Sequence, residues 1–403
     1  WTAAGQQPGA ALTGQHRASA RPVLLRSHDP PGAATRGPTV SAATAQTPTR
    51  PGTARPASAG APEDASPDTE TVAAMIAEVG RVRTAGGSDL DRLPKRLSPS
   101  RAKVFAHCPQ AFYFTTICGL KEPGSIQTTR GTVAHAAFER TFDAPAGERT
   151  VERSLSYIAP AWASMVDPDL TTQPEGSADR ARTLEAAAEY RRLAPAGSAE
   201  EQGILEYAAQ MIRNWYAMER VNNFTPTGLA MPDGSVVDGR ELHVGADMFG
   251  VHLHGFIDRL DRWTAPDGTV RWAIADYKTG KVPGAGKTYS PATMDRIAWD
   301  AMFQLRVYAV LAWEVYRIPV TRLRLIYVNT GDREHGIKQL TVDQKILDRT
   351  RAEVRSIWTG ITRSARTGTW KTSTGPLCNY CYFQDICPAF GNALPVTEII
   401  DAA

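Results

Sequence analysis

The chain has 403 residues, 42% hydrophobic and 22% charged, and 45 Lys and Arg against 42 Asp and Glu leave a formal charge of only +3. That composition is ordinary for a globular protein and long enough for one large domain or two smaller ones, while the small net charge neither demands nor excludes a polyanionic partner. No apolar run is long enough to cross a membrane and no signal-peptide core is present, so the expectation is a cytoplasmic protein without a membrane partner. Five cysteines, an odd number in a chain with no export signal, argue against a disulfide framework and make metal binding their leading explanation.

In chain order, residues 1–95 are dominated by Ala, Pro, Thr, Gly, Ser and Arg and read as a disordered tail. The chain starts at Trp1 and its first methionine is Met75, so residues 1–74 read as upstream sequence, a misplaced start or a fragment. Order is expected from "LSPSRAKVFAHCPQAFYF", where Ser98 caps a helix whose first position is Pro99. A second helix is expected after Gly131, carrying His135. Residues 165–200 turn polar, with Pro and Gly, and suggest a surface insertion before an amphipathic helix in "EEQGILEYAAQMIRNWYAMERV". Residues 240–278 read as three strands with turns at Phe249-Gly250 and Pro266-Asp267-Gly268. One long helix, "MDRIAWDAMFQLRVYAVLAWEVYRI", stops at Pro319; the strand "RLRLIYVN" and a helix to about 367 follow. The prediction is a mixed α/β fold, a central mixed sheet flanked by helices in one domain over 96–390, with 391–403 as a C-terminal tail.

The chemistry concentrates around "WAIADYKTGK". Side chains two apart on a strand share a face, so Asp276 and Lys278 stand side by side while Tyr277 points the other way. Taken alone this is a surface ion pair at a strand end. Upstream, "LHGFIDRLDRW" places Asp258 near the end of the neighbouring antiparallel strand, where it can approach Asp276. Two carboxylates and water suit Mg²⁺, and an adjacent lysine can orient a water or offset charge on a phosphate. His135 can complete the shell, because a neutral imidazole suits Mn²⁺ and tolerates Mg²⁺.

His135, a Gly-x-x-Asp ending at Asp258, Asp276-Tyr-Lys278-Thr-Gly, then Gln304 and Tyr308 four residues apart resemble, in that order, the RecB-like branch of the PD-(D/E)XK nuclease superfamily. The resemblance spans about 96–390 and implies a restriction-endonuclease-like core. It implies Asp258, Asp276 and His135 as ligands of Mg²⁺ or Mn²⁺, and Lys278, with Asp276 and Asp258, as the catalytic set. Gln304 and Tyr308 match a Gln-x-x-x-Tyr motif thought to help place DNA; a partly buried helix face is the other reading. Glu241 falls where relatives often carry a glutamate. Cys378-x-x-Cys381-x5-Cys387, with Cys108 before the core, resembles the iron–sulfur members of that family and implies a [4Fe–4S] cluster tying the two ends of the domain together. A four-thiolate zinc site is the competing reading, although zinc ribbons draw on two Cys-x-x-Cys pairs and this chain has one. Cys118 is left as a small buried hydrophobe. The expected activity is a DNA exonuclease acting on single strands or ends in repair or recombination. A CRISPR-associated spacer-processing nuclease and a non-catalytic DNA-binding scaffold are the alternatives. No phosphate-binding Gly-x4-Gly-Lys-[Ser/Thr] loop occurs, so any unwinding needs a separate helicase.

Overall fold

The computed structural model describes residues 67–85, 88–224, 226, 228–230 and 236–392. Residues 1–66 of the tail expected over 1–95, and residues 393–403 of the C-terminal tail expected over 391–403, lie outside the described residues.

Within the stretch expected to be a tail stands a helix, α1 (Thr69–Thr84), capped by the Asp68 side chain. Composition averaged over 95 residues hid its apolar stripe: Met75, Val79 and Val82 recur at helical spacing and are buried in the main core. Helix α2 (Pro99–His107) begins as the sequence indicates, with Ser98 accepting from the Arg101 amide and Pro99 at the first position. Helix α3 (Ile126–Thr141) starts earlier than expected, at a capping box in which Ser125 and Thr128 satisfy each other's backbone amides. Gly131 therefore lies inside the helix, and its role is close approach: a Cβ there would come within 2.9 Å of Thr279 Oγ1. The polar stretch taken for an insertion contains α4 (Ala178–Leu193), which buries only Ala187. Helix α5 (Ala199–Met218) is amphipathic as read, burying Ile204, Ala208, Met211, Ile212, Trp215 and Met218.

The long helix expected before Pro319 is two helices, α6 (Pro291–Ala301) and α7 (Phe303–Tyr316), broken at Met302. The break frees the Trp299 carbonyl, and the buried Arg306 guanidinium takes it over at 3.2 Å while also bonding Glu353 and Thr350 of α8 (Gln344–Thr367).

Among the described residues, six strands form one mixed sheet: β1 (Arg96–Leu97), β2 (Arg240–Met248), β3 (Val251–Thr264), β4 (Val270–Lys278), β5 (Val320–Tyr327) and β6 (Ile337–Thr341). The meander β2–β3–β4 is antiparallel, β5 joins β4 in parallel, and β6 closes the edge antiparallel. Strand β6 went unread in the sequence, where its five residues carry little apolar alternation. Helices cover both faces. Leu305 and Leu311 of α7 and Trp358 of α8 pack with Ile274 and Leu323, while Phe138 of α3 and Trp215 of α5 pack with Ala275, Tyr277 and Ile326.

Candidate active site

The β3–β4 ladder ends at the pair Arg259 and Ala275, and the next positions along each strand are Asp258 and Asp276. There the strands part, and the Tyr277 amide, no longer held by a ladder carbonyl, donates to Asp258 Oδ2 at 3.0 Å. On the other edge of β3, Arg240 pairs with Arg259 and Leu242 with Ile257, which sets Glu241 opposite Asp258. Glu241 has φ of 43°, a left-handed conformation that costs a non-glycine residue about 1 kcal/mol or more and interrupts the ladder at this point. Three carboxylates thus stand in a row across three adjacent strands.

Lys278 Nζ lies 2.6 Å from Asp276 Oδ2, so the two side chains do share a face. From α3, His135 Nδ1 approaches Asp258 Oδ2 at 3.4 Å. Burial, then Asp258, raises the Asp276 carboxyl to about 6 against the pull of Lys278 and His135. Asp258 is likewise raised, first by burial, although the Tyr277 amide and Lys278 oppose the shift. Glu241 is pushed up to about 7 by burial and by Asp258, Glu139 and Asp276. Burial lowers the His135 imidazole and favours its neutral form. Burial is the first cause of each raised carboxyl, a penalty on the ionised form that a bound cation relieves, and hard oxygen donors set together in this way suit Mg²⁺ or Mn²⁺. Among the described residues, however, no three His, Cys, Asp or Glu side chains are grouped closely enough to hold a metal ion as they stand.

Raised carboxyls bind extra protons in the folded chain, so they lower stability as pH rises from about 4 to about 7. For Asp276, moving from 3.8 to about 6 is worth on the order of 3 kcal/mol. The cation-free protein should accordingly lose melting temperature across that window relative to Asp276→Asn, and Mg²⁺ or Mn²⁺ at the alkaline end should restore it. Melting curves against pH, with and without cation, check both.

Gln304 and Tyr308 lie on one face of α7, and Gln304 Nε2 donates to the Tyr308 hydroxyl at 3.0 Å. Tyr308 is buried against Gly255, the glycine of the Gly-x-x-Asp motif, where any Cβ would overlap the tyrosine ring. Gly255→Ala is therefore expected to cost about 1–3 kcal/mol by overpacking, read by chemical denaturation, and to displace Gln304. Gln304 itself lines a groove with Lys278.

Two groups escaped the sequence reading. Glu139, one turn beyond His135 on α3, lines a cleft of about 670 Å³ with His135, Glu241 and Asp258; its i, i+4 spacing from the histidine was the available signal. Behind the sheet, Glu219 accepts from Arg259 at 3.1 Å, Arg324 at 2.7 Å and Trp215 Nε1 at 2.9 Å, all buried, and Arg259 also bonds Asp261 and the Tyr277 hydroxyl. Tyr277 sits between Asp276 and Lys278, so this network anchors the backbone that carries both.

Cys108, Cys378, Cys381 and Cys387 line a single cavity of about 330 Å³, while Cys118 is buried apart in the main core. Burial pushes the Cys381 thiol up to about 11 and raises Cys387 as well. The two ends of the domain also meet through apolar packing, with Trp370 stacked on Phe112 at 5.8 Å and Phe383 5.6 Å from Phe114, and through the Gln110 backbone N–H, which donates to the Lys371 carbonyl at 3.0 Å.

Residues 96–388 match the family model of the PD-(D/E)XK nuclease superfamily. A crystal structure named "Putative exonuclease", from Eubacterium rectale, is similar at 14% identity and a TM-score of 0.36, covering 78% of this chain and 92% of its own. A comparison with curated proteins found no match. Among the described residues no helix is long and apolar enough to cross a membrane. With the family match extending from β1 through Asp258, Asp276 and Lys278 to the last of the four cysteines that line one cavity, the chain belongs to the PD-(D/E)XK nuclease superfamily.

Proposed function

We propose that the protein is a metal-dependent DNA exonuclease. The observation that carries this reading is the position of Asp258 and Asp276 where β3 and β4 part, with Lys278 on the same face of β4, in a chain of this superfamily. Asp258 and Asp276, with His135, would hold Mg²⁺ or Mn²⁺, which when bound supplies Lewis acidity toward a phosphate oxygen. Asp276 holds the Lys278 ammonium through their ion pair, and that ammonium, on a side chain 36% exposed, positions a water for in-line attack and offsets charge developing on the phosphate. The neutral His135 ring stays free to donate electrons from nitrogen, and Gln304, braced by Tyr308, faces the strand being cut. Single strands or ends in repair or recombination are the natural substrate class, and a separate helicase would supply any unwinding.

Comparing linear with circular single-stranded DNA tests the mode of action. Stepwise loss of the linear substrate alone supports an exonuclease; equal cutting of the circle shows endonucleolytic action and overturns that part of the proposal.

The four cysteines, we propose, hold a [4Fe–4S] cluster. Four thiols on one cavity fit its donor chemistry, and loading would release protons from thiols that burial keeps protonated. Anaerobically purified protein should be brown with about four irons per chain, and Cys381→Ser should lose both iron and colour; one zinc per chain would replace this assignment with the tetrahedral alternative.

A further inference from the structure

The catalytic residues open onto two different surfaces. His135, Glu139, Glu241 and Asp258 line the acidic cleft, whereas Lys278 and Gln304 open into a second groove of about 870 Å³ between α2 and α6. Its walls carry Lys103 and His107 from α2 and Arg296 from α6, with Asp300 the acid among them. Asp300 is occupied by Lys103 at 3.0 Å and His107 at 3.3 Å. Arg296 is exposed and has no ion-pair partner among the described residues, with Asp295 beside it on the helix. The loop that gives Pro283 and Gly284 to the groove also carries exposed Lys281 and Lys287 and an exposed tyrosine, Tyr289. Val104, His107 and Leu377 line both this groove and the cysteine cavity, so the groove runs from Lys278 to that cavity's mouth.

Resting on the nuclease reading above, we propose that this groove binds the phosphates of a nucleic-acid single strand, with Arg296 as a principal contact and the strand running from Lys278 toward the cysteine cavity. Cations spaced along a groove, with an exposed aromatic on the loop that contributes Pro283 and Gly284 to it, are what single strands require: phosphate neutralisation, plus a ring on which a base can stack. The volume lies within the range of about 300–1,000 Å³ that takes small ligands, which accommodates a short run of nucleotides.

The test separates this proposal from the activity on which it rests. Binding of fluorescent single-stranded DNA and RNA oligonucleotides is measured against salt in the cleavage-impaired Asp276→Ala background, with and without Arg296→Ala or Arg296→Glu. Cleavage kinetics are measured in the otherwise unaltered protein. Losing one phosphate contact reduces the slope of log K against log salt by about 0.7. Arg296→Ala should show that change and raise KM several-fold with kcat within about twofold, Arg296→Glu should weaken binding further, and Arg191→Ala on α4 should do neither. A DNA-only or RNA-only response names the sugar. An unchanged slope and KM in both Arg296 variants overturns the groove assignment even if the protein cleaves. Absence of cleavage with the slope change present overturns the nuclease reading and leaves the groove.

Discussion

Lys278→Ala is expected to lower kcat for DNA cleavage by about 10²–10⁴-fold, the usual share of a positioned proton-transfer or charge-stabilising group. Oligonucleotide affinity should stay within about threefold of the original. The split follows from where the side chain stands. Its ammonium is fixed 2.6 Å from Asp276 at the point where the two central strands part, at the end of a groove whose other cations carry binding. Truncation removes the charge from the reacting phosphate and leaves Lys103 and Arg296 in place. Single-turnover cleavage beside a binding titration measures the two quantities separately. Equal losses in both would make Lys278 a binding residue, and no loss in either would remove it from the site.

The second large effect is on stability. Glu219 caps the end of α5 with no exposed side-chain surface, and it compensates two buried arginines, Arg259 and Arg324. Burial alone would raise its carboxyl, but those guanidinium groups hold it at about 2. Glu219→Ala leaves buried Arg324 without its ion-pair partner and Arg259 with Asp261 alone, a change that typically costs about 3–5 kcal/mol. In a domain of this size that lowers the melting temperature by roughly 10 °C. Because the folded carboxyl is held below its ordinary value, its contribution is present above about pH 4.5 and is lost as pH falls toward 2. The pH dependence of the melting temperature in the original protein should therefore steepen in that acid range, and Glu219→Gln should flatten it. Activity should fall as well, since Arg259 bonds the Tyr277 hydroxyl between Asp276 and Lys278.

What could be read from the sequence followed strict local rules. Ser98-Pro99 announced α2, Phe249-Gly250 and Pro266-Asp267-Gly268 announced the meander turns, and the period-two rule put Asp276 and Lys278 side by side. The approach of Asp258 to Asp276 was foreseeable once both strands were placed, although the exact register was not. What escaped depends on distant partners. Helix α1 was lost in the Ala- and Pro-rich composition around it, and the break at Met302 exists because Arg306 can take the freed carbonyl of Trp299. Gly131 looked like a helix start because glycine punctuates chains, whereas here it admits the Thr279 side chain. Gly255 makes sense only with Tyr308 beside it. The Glu219–Arg259–Arg324 network joins residues more than 100 positions apart, and no local pattern marks it.

The central claim is that Asp258, Asp276 and a divalent cation hydrolyse phosphodiester bonds. Release of nucleotides from end-labelled single-stranded DNA, in Mn²⁺, in Mg²⁺ and in EDTA, by the original protein and by Asp276→Ala, tests it most directly. Cleavage that requires the cation and disappears in the variant is the predicted result. Cleavage that persists in EDTA or in Asp276→Ala, or no cleavage by folded protein under any of these conditions, would contradict it.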